Sequence, residues 1–147
     1  MSSVSVRIRA VAKRKIAAPT ERCVQRSILR MMGIAFPKVR AWHVPNGAYL
    51  GDNPASRKRT MGVLLGDGLK PGAPDLACYW AGGGHQLIEV KRPGYSPSKV
   101  SPEQIALHAE LAEMGHPVAI VTSAAEAFAL LKDRGAPTNL EAWREAA

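Results

Sequence analysis

At 147 residues, 46% apolar and 22% charged, the chain has the length and balance of one globular domain. No apolar run approaches the roughly 18 residues of a membrane span. The N-terminus (MSSVSVRIRAVAKRK) alternates Val and Ile with Arg instead of forming a signal segment. A cytoplasmic protein with no membrane partner is the expectation. Cys23 and Cys78 have no metal-ligand or redox spacing and are read as reduced, partly buried and inert. The net charge of +8 is uneven: residues 1–70 carry 14 Lys/Arg against 3 Asp/Glu, and residues 71–147 carry 6 against 9. Such an excess suits a polyanion, because each cation near a phosphate displaces a condensed counterion. On charge alone a solvated basic surface explains it equally well.

Residues 1–19 read as a basic tail closed by Pro19, with an edge-strand pattern at Val4, Val6 and Ile8. Thr20 is placed to cap a helix running to about Met32, with Gly33 as its stop. Glu21 shares a stripe of that helix with Val24, Ile28 and Met31. Val39–Val44 reads as a short strand stopped by Pro45-Asn46-Gly47. Residues 46–74, rich in Gly, Asn and Pro, read as a long loop with one helical turn near Thr60–Leu65. Asp75–Trp80 and Gln86–Lys91 form an antiparallel hairpin around Ala81-Gly82-Gly83-Gly84. Ser101 caps a helix with Pro102 in its first position, ending at Gly115. Pro117–Thr122 is apolar enough for a strand covered on both faces. Helices over Ser123–Arg134 and Leu140–Glu145 complete an α/β sandwich around a small mixed sheet.

The chemistry concentrates in the hairpin. Leu87, Glu89 and Lys91 share one strand face, and the hairpin returns Glu89 to the neighbourhood of Asp75. Two carboxylates that close repel each other, and one takes up a proton unless a cation sits between them. Mg²⁺ is hard and is commonly held by one or two carboxylates, waters and substrate phosphate. It would polarise a phosphodiester and activate water. Lys91 is placed to orient the attacking water or to stabilise the pentavalent phosphate.

Pro74-Asp75 followed by Glu89-Val90-Lys91 resembles the PD-(D/E)XK nuclease signature. Glu21 and Gln25, Pro45-Asn46-Gly47, the run Gly68–Asp75, Ile88–Pro93 and Ser101-Pro102-Glu103-Gln104 together look like its VRR-NUC branch, from about Thr20 to Leu131. The resemblance implies a restriction-endonuclease-like fold over residues 20–147. It implies a metal held by Asp75, Glu89 and the backbone carbonyl of Val90, with Lys91 serving catalysis. Gln104 and Glu21 would reach the same site from their helices. Mg²⁺ is the implied cofactor, with Mn²⁺ able to substitute. Stand-alone members, many from phages, resemble dimeric Holliday-junction resolvases. The implied protein is therefore a homodimeric endodeoxyribonuclease selective for branched DNA, in a bacterial or phage-infected cytoplasm. The basic tail departs from the pattern.

Each residue also has a plainer reading. Asp75 could be a turn aspartate, Glu89 and Lys91 a solvent-facing strand, Gln104 and Glu21 first-turn helix residues. His43 reads as an ordinary histidine, and no His spacing points to zinc. Trp42, Trp80 and Trp143 read as core anchors rather than base-stacking platforms. Arg57, Lys58 and Arg59, ahead of the hairpin, are assigned to phosphate contact; Arg92 follows Lys91 but faces the other way, and is read as a further nucleic-acid contact. The rival functions are a catalytically weak nucleic-acid-binding module on the same fold, and a structural partner of an acidic protein. Neither needs the set Asp75, Glu89 and Lys91.

Overall fold

The computed structural model describes residues 17–45 and 53–146. The expected edge strand at Val4–Ile8, the basic tail up to residue 16 and the stop at Asn46-Gly47 lie outside the described residues, as does the side chain of Trp143. Helix α1 spans Glu21–Ala35, and Thr20 caps it by accepting the Cys23 N–H. It does not stop at Gly33. It runs on to Ala35, and Phe36 leaves the helical conformation because Pro37 follows it. A glycine inside a helix lowers its stability by about 1 kcal/mol, too little to end a helix whose Met31, Met32 and Ala35 are buried.

Strand β1 spans Arg40–His43, and helix α2 spans Pro54–Gly66. The long loop expected over residues 46–74 therefore contains a helix of 13 residues, and Arg57, Lys58 and Arg59 sit on it. Its signal is in its cap rather than its periodicity. Asn53 accepts the Ser56 N–H, the Ser56 hydroxyl lies 3.4 Å from the Asn53 N–H, and Pro54 occupies the first turn. None of its residues is buried, so no apolar stripe marks it.

Strand β2 spans Leu76–Trp80, and β3 spans Gly84–Val90. A short 3₁₀ turn at Pro97–Lys99 leads into α3, Pro102–Glu113, which is followed by β4, Val118–Val121. Helices α4, Ala124–Asp133, and α5, Leu140–Ala146, close the order. The sheet order is β1-β2-β3-β4, antiparallel except for the parallel β3–β4 pair. This is the mixed sheet flanked by helices of a restriction-endonuclease-like α/β domain. Among the described residues no helix is long and apolar enough to cross a membrane.

One sheet face carries the core. Leu76, Cys78, Ile88, Val90 and Val121 are buried there with Val24, Ile28 and Met31 of α1 and Ala127 and Leu131 of α4. Gln86, also buried, accepts from the Arg134 Nε and donates to two backbone carbonyls, so its amide is satisfied. The other face is covered unevenly. Among the described residues β4 is an edge strand, and Ile120 on it is 36% exposed, against the expectation of a strand covered on both faces. Trp42 is not a core anchor either, since it is 52% exposed. Trp80 is half-buried and packs on the core as expected.

Candidate active site

Asp75 stands one residue before β2, and Lys91 one residue after β3. Leu76 pairs with Ile88, so extending the register by one residue sets Asp75 across from Glu89. The Asp75 Oδ2 accepts the Val90 N–H at 2.9 Å, tying the aspartate to the second strand. Its backbone carbonyl accepts the Val44 N–H at 2.8 Å and lies 3.0 Å from the His43 Nδ1. Contacts from both sides, to its carboxylate and to its backbone carbonyl, thus fix Asp75.

Glu89 is 1% and Lys91 5% exposed, and their side chains pair at 2.7 Å through the Glu89 Oε1. The Gln104 amide also donates to that oxygen, while its carbonyl lies 3.4 Å from the Lys91 Nζ. Gln104 can reach them because it is the third helical residue of a capping box. Ser101 caps α3, and Gln104 in turn accepts the Ser101 N–H at 3.0 Å. One residue therefore closes a helix cap and touches both halves of the ion pair. The loop before Asp75 is docked on the same helix turn. A Cβ on Gly72, whose φ is +82°, would lie 2.5 Å from the backbone oxygen of Glu103. Only glycine allows that approach.

A buried ion pair is costly unless every oxygen finds a partner, and here one does not. The Glu89 Oε2 is buried with no hydrogen-bond partner. Burial raises the Glu89 carboxyl above its ordinary value against the pull of Lys91, and burial likewise raises Asp75, with the Val90 N–H working the other way. A divalent cation beside the two acids would relieve both penalties, so the donor set fits a hard, oxygen-preferring metal. Among the described residues no three His, Cys, Asp or Glu side chains form a closed cage. Mg²⁺ does not need one, since it keeps waters and takes substrate oxygens.

Glu21 is exposed and makes no contact with the Glu89 group, but its charge acts on Asp75. It lines a cavity of about 600 Å³ with Gln25, His43, Asp75, Arg22 and Arg26. Asp75 thus borders both the buried ion pair and an open basic cleft. Arg22 and Arg26 carry no motif in the sequence, although their spacing of four sets them on one helix face; His43, read as an ordinary histidine, lines the cleft beside them. His108 was missed too. It follows Gln104 by one helical turn, and its Nε2 is buried without a partner. Burial lowers its pKa, and the nearby Lys91 adds to that. Arg92 is exposed. Cys23 corrects another expectation: it is exposed, and its Thr20 hydrogen bond lowers the thiol pKa. Cys78 is buried, which pushes its thiol up to about 12.

An aspartate ahead of one strand and a Glu-X-Lys closing its hairpin partner, on a mixed sheet flanked by helices, define the class of PD-(D/E)XK nucleases. The family model of the VRR-NUC domain, a branch of that superfamily, matches residues 40–125, more than half of the chain. The chain belongs to the VRR-NUC family. The match spans the hairpin and Gln104, while Glu21 and the rest of α1 precede it. No curated protein and no solved structure matches the chain. PD-(D/E)XK nucleases generally use divalent metals, and a nuclease domain implies DNA as substrate.

Proposed function

We propose that this chain is a Mg²⁺-dependent endodeoxyribonuclease that hydrolyses phosphodiester bonds of branched DNA, acts as a homodimer, and accepts Mn²⁺ in place of Mg²⁺. The observation that carries the reading is the buried, unpartnered Glu89 Oε2 beside Asp75 and Lys91. Such an arrangement costs stability in the resting fold and is explained by what it does with a cation and a phosphate.

Asp75, Glu89 and the Val90 carbonyl would hold the metal, which when bound supplies Lewis-acid activation of phosphodiester and water. Lys91 holds its ammonium within 2.7 Å of Glu89, where it orients the attacking water or meets the charge that grows on the phosphate oxygens. Gln104 holds Lys91 and Glu89 in register, so it is a positioning residue. Glu21 acts on the charge of Asp75 from the open cleft. Arg22 and Arg26 in that cleft, Arg57, Lys58 and Arg59 on α2, and Arg92 beyond β3 supply the cations that bind the DNA backbone. A homodimer suits a branched substrate, because resolving a four-way junction takes two symmetric incisions.

A panel of end-labelled linear, flap and four-way DNAs of matched sequence, incubated in Mg²⁺, tests the selectivity. Faster incision of flap or four-way DNA than of linear duplex is expected. Equal rates on all three would remove branched DNA from the proposal.

A further inference from the structure

On the sheet face that carries the acids, Trp42 of β1 and Tyr79 of β2 are exposed. Trp42 pairs with Ala77, and Arg40 pairs with Tyr79. Side-chain alternation places Arg40, Trp42, Asp75, Ala77 and Tyr79 on one side. Trp42 and Tyr79 stack, with ring centroids 5.0 Å apart and planes 19° from parallel. Both rings remain open to solvent, at 52% and 42% exposure. Trp42 lies across from a residue two positions, or roughly 7 Å of strand, from Asp75.

A cross-strand aromatic pair steadies an edge strand by about 1 kcal/mol at most, which would not require a tryptophan half in water. Trp and Tyr rings left open beside a cation have a specific use toward nucleic acid. Every base presents a π-face, so an aromatic platform takes an unstacked base whatever its identity. Arg40 stands opposite Tyr79 and donates from one Nη to the Pro37 carbonyl at 3.0 Å, which leaves its other guanidinium N–H groups for the phosphate joined to such a base. A fully paired duplex cannot offer that surface, because its bases are already stacked on one another.

We propose that Trp42 and Tyr79 form a stacking platform for an unpaired nucleotide of the substrate, next to the site of Asp75 and Glu89. The platform deepens the proposed nuclease reading, since it gives the site a physical means of preferring branched or single-stranded DNA. Selection then rests on an unpaired base beside the cut rather than on sequence.

The test is binding without divalent metal, so that it does not depend on cleavage. Fluorescence anisotropy compares a flapped duplex with its fully paired counterpart for the wild type and for Trp42→Ala, Tyr79→Ala and Trp42→Phe. The two alanine variants should bind the flap about tenfold more weakly, with less than a twofold change on the paired duplex. Trp42→Phe should keep the flap preference. The salt slope should stay as in the wild type, because no phosphate contact is removed. Should an alanine variant fail to fold, quenching of wild-type tryptophan fluorescence by oligo-dT, lost in Trp42→Phe, gives the same answer. Equal weakening on both DNAs, or none, overturns the platform. So does a dimer that sediments as a monomer once Trp42 or Tyr79 is changed while flap preference persists, since the pair would then be a subunit contact. Flap binding that depends on Trp42 in a protein that never cuts would leave the platform standing and remove the nuclease reading.

Discussion

The Asp75 carboxylate accepts the backbone N–H of Val90 at 2.9 Å, so an acid that precedes one strand is fastened to the strand beside it. This contact brings the two acids of the site together although 13 residues separate them in the chain. It also means that Asp75 keeps its place whether or not its second oxygen has a partner.

A stability measurement follows from the burial of both acids. Asp75 and Glu89 have pKa values raised in the folded protein. At pH below the ordinary carboxylate range both states are protonated, and these groups contribute no difference. As pH rises from that range through the raised values, the folded state holds protons that the unfolded state has lost, so stability falls. In metal-free protein Asp75→Asn should therefore raise Tm at pH 7 by a few degrees, and the gain should vanish at acidic pH. Asn can still accept the Val90 N–H. Mg²⁺ should raise Tm of the wild type but not of the variant. Differential scanning fluorimetry at several pH values reads both.

Glu89 and Lys91 differ in what their removal does. Taking away one partner of a buried pair costs about 3–5 kcal/mol, so shape-keeping changes are the informative ones. Glu89→Gln and Lys91→Met should each slow cleavage on the order of a hundredfold or more. Calorimetry should find Mg²⁺ binding weakened in Glu89→Gln. In Lys91→Met it should be unchanged or tighter, since the Glu89 Oε1 is freed of a competing cation. Equal weakening in both would contradict the division of roles.

Gly72 joins the loop before Asp75 to the helix that carries Gln104. Gly72→Ala must adopt a φ of +82° and push against the backbone of Glu103. A destabilisation of about 2 kcal/mol or more is expected, with cleavage falling even well below Tm. Gly68→Ala is the control: its φ is +94° but nothing lies within 4 Å of the added Cβ. It should cost only about 1 kcal/mol and leave cleavage largely intact. Chemical denaturation of both variants checks the difference.

Most of the fold was legible because its punctuation is chemical. Thr20, Ser101 and Ser123 cap three helices, and the alternation of Leu87, Glu89 and Lys91 sets the site face. Helix α2 was legible only as the turn near Thr60–Leu65, since its apolar residues gather on no one face. The Asn53-Pro54-x-Ser56 cap was the signal of its start. Exposure was harder still. Val118–Val121 and Trp42 look like core by composition, and which strands end at an edge depends on pairings that composition does not encode. The acids and Lys91 were readable from their spacing. Arg22, Arg26 and His108 entered only once helices had folded against the hairpin.

The basic helix has a separate readout. Replacing Arg57, Lys58 and Arg59 with serine should weaken DNA binding and lower the log–log salt slope by about 0.9 for each duplex phosphate that is no longer neutralised. Lys58 and Arg59 are exposed on that helix, so replacing these two alone should change stability little. Isotherms at several salt concentrations would show it. An unchanged slope would move the DNA-binding surface elsewhere.

If Asp75, Glu89 and Lys91 cut DNA with a divalent metal, a single time course shows it. Purified protein and end-labelled branched DNA are incubated in Mg²⁺, quenched into excess EDTA, and then returned to excess Mg²⁺. Cleavage should start in Mg²⁺, stop in EDTA and resume on its return. Cutting that continues undiminished in EDTA would contradict the metal mechanism, and no cutting with Mg²⁺ or Mn²⁺ would contradict the nuclease assignment.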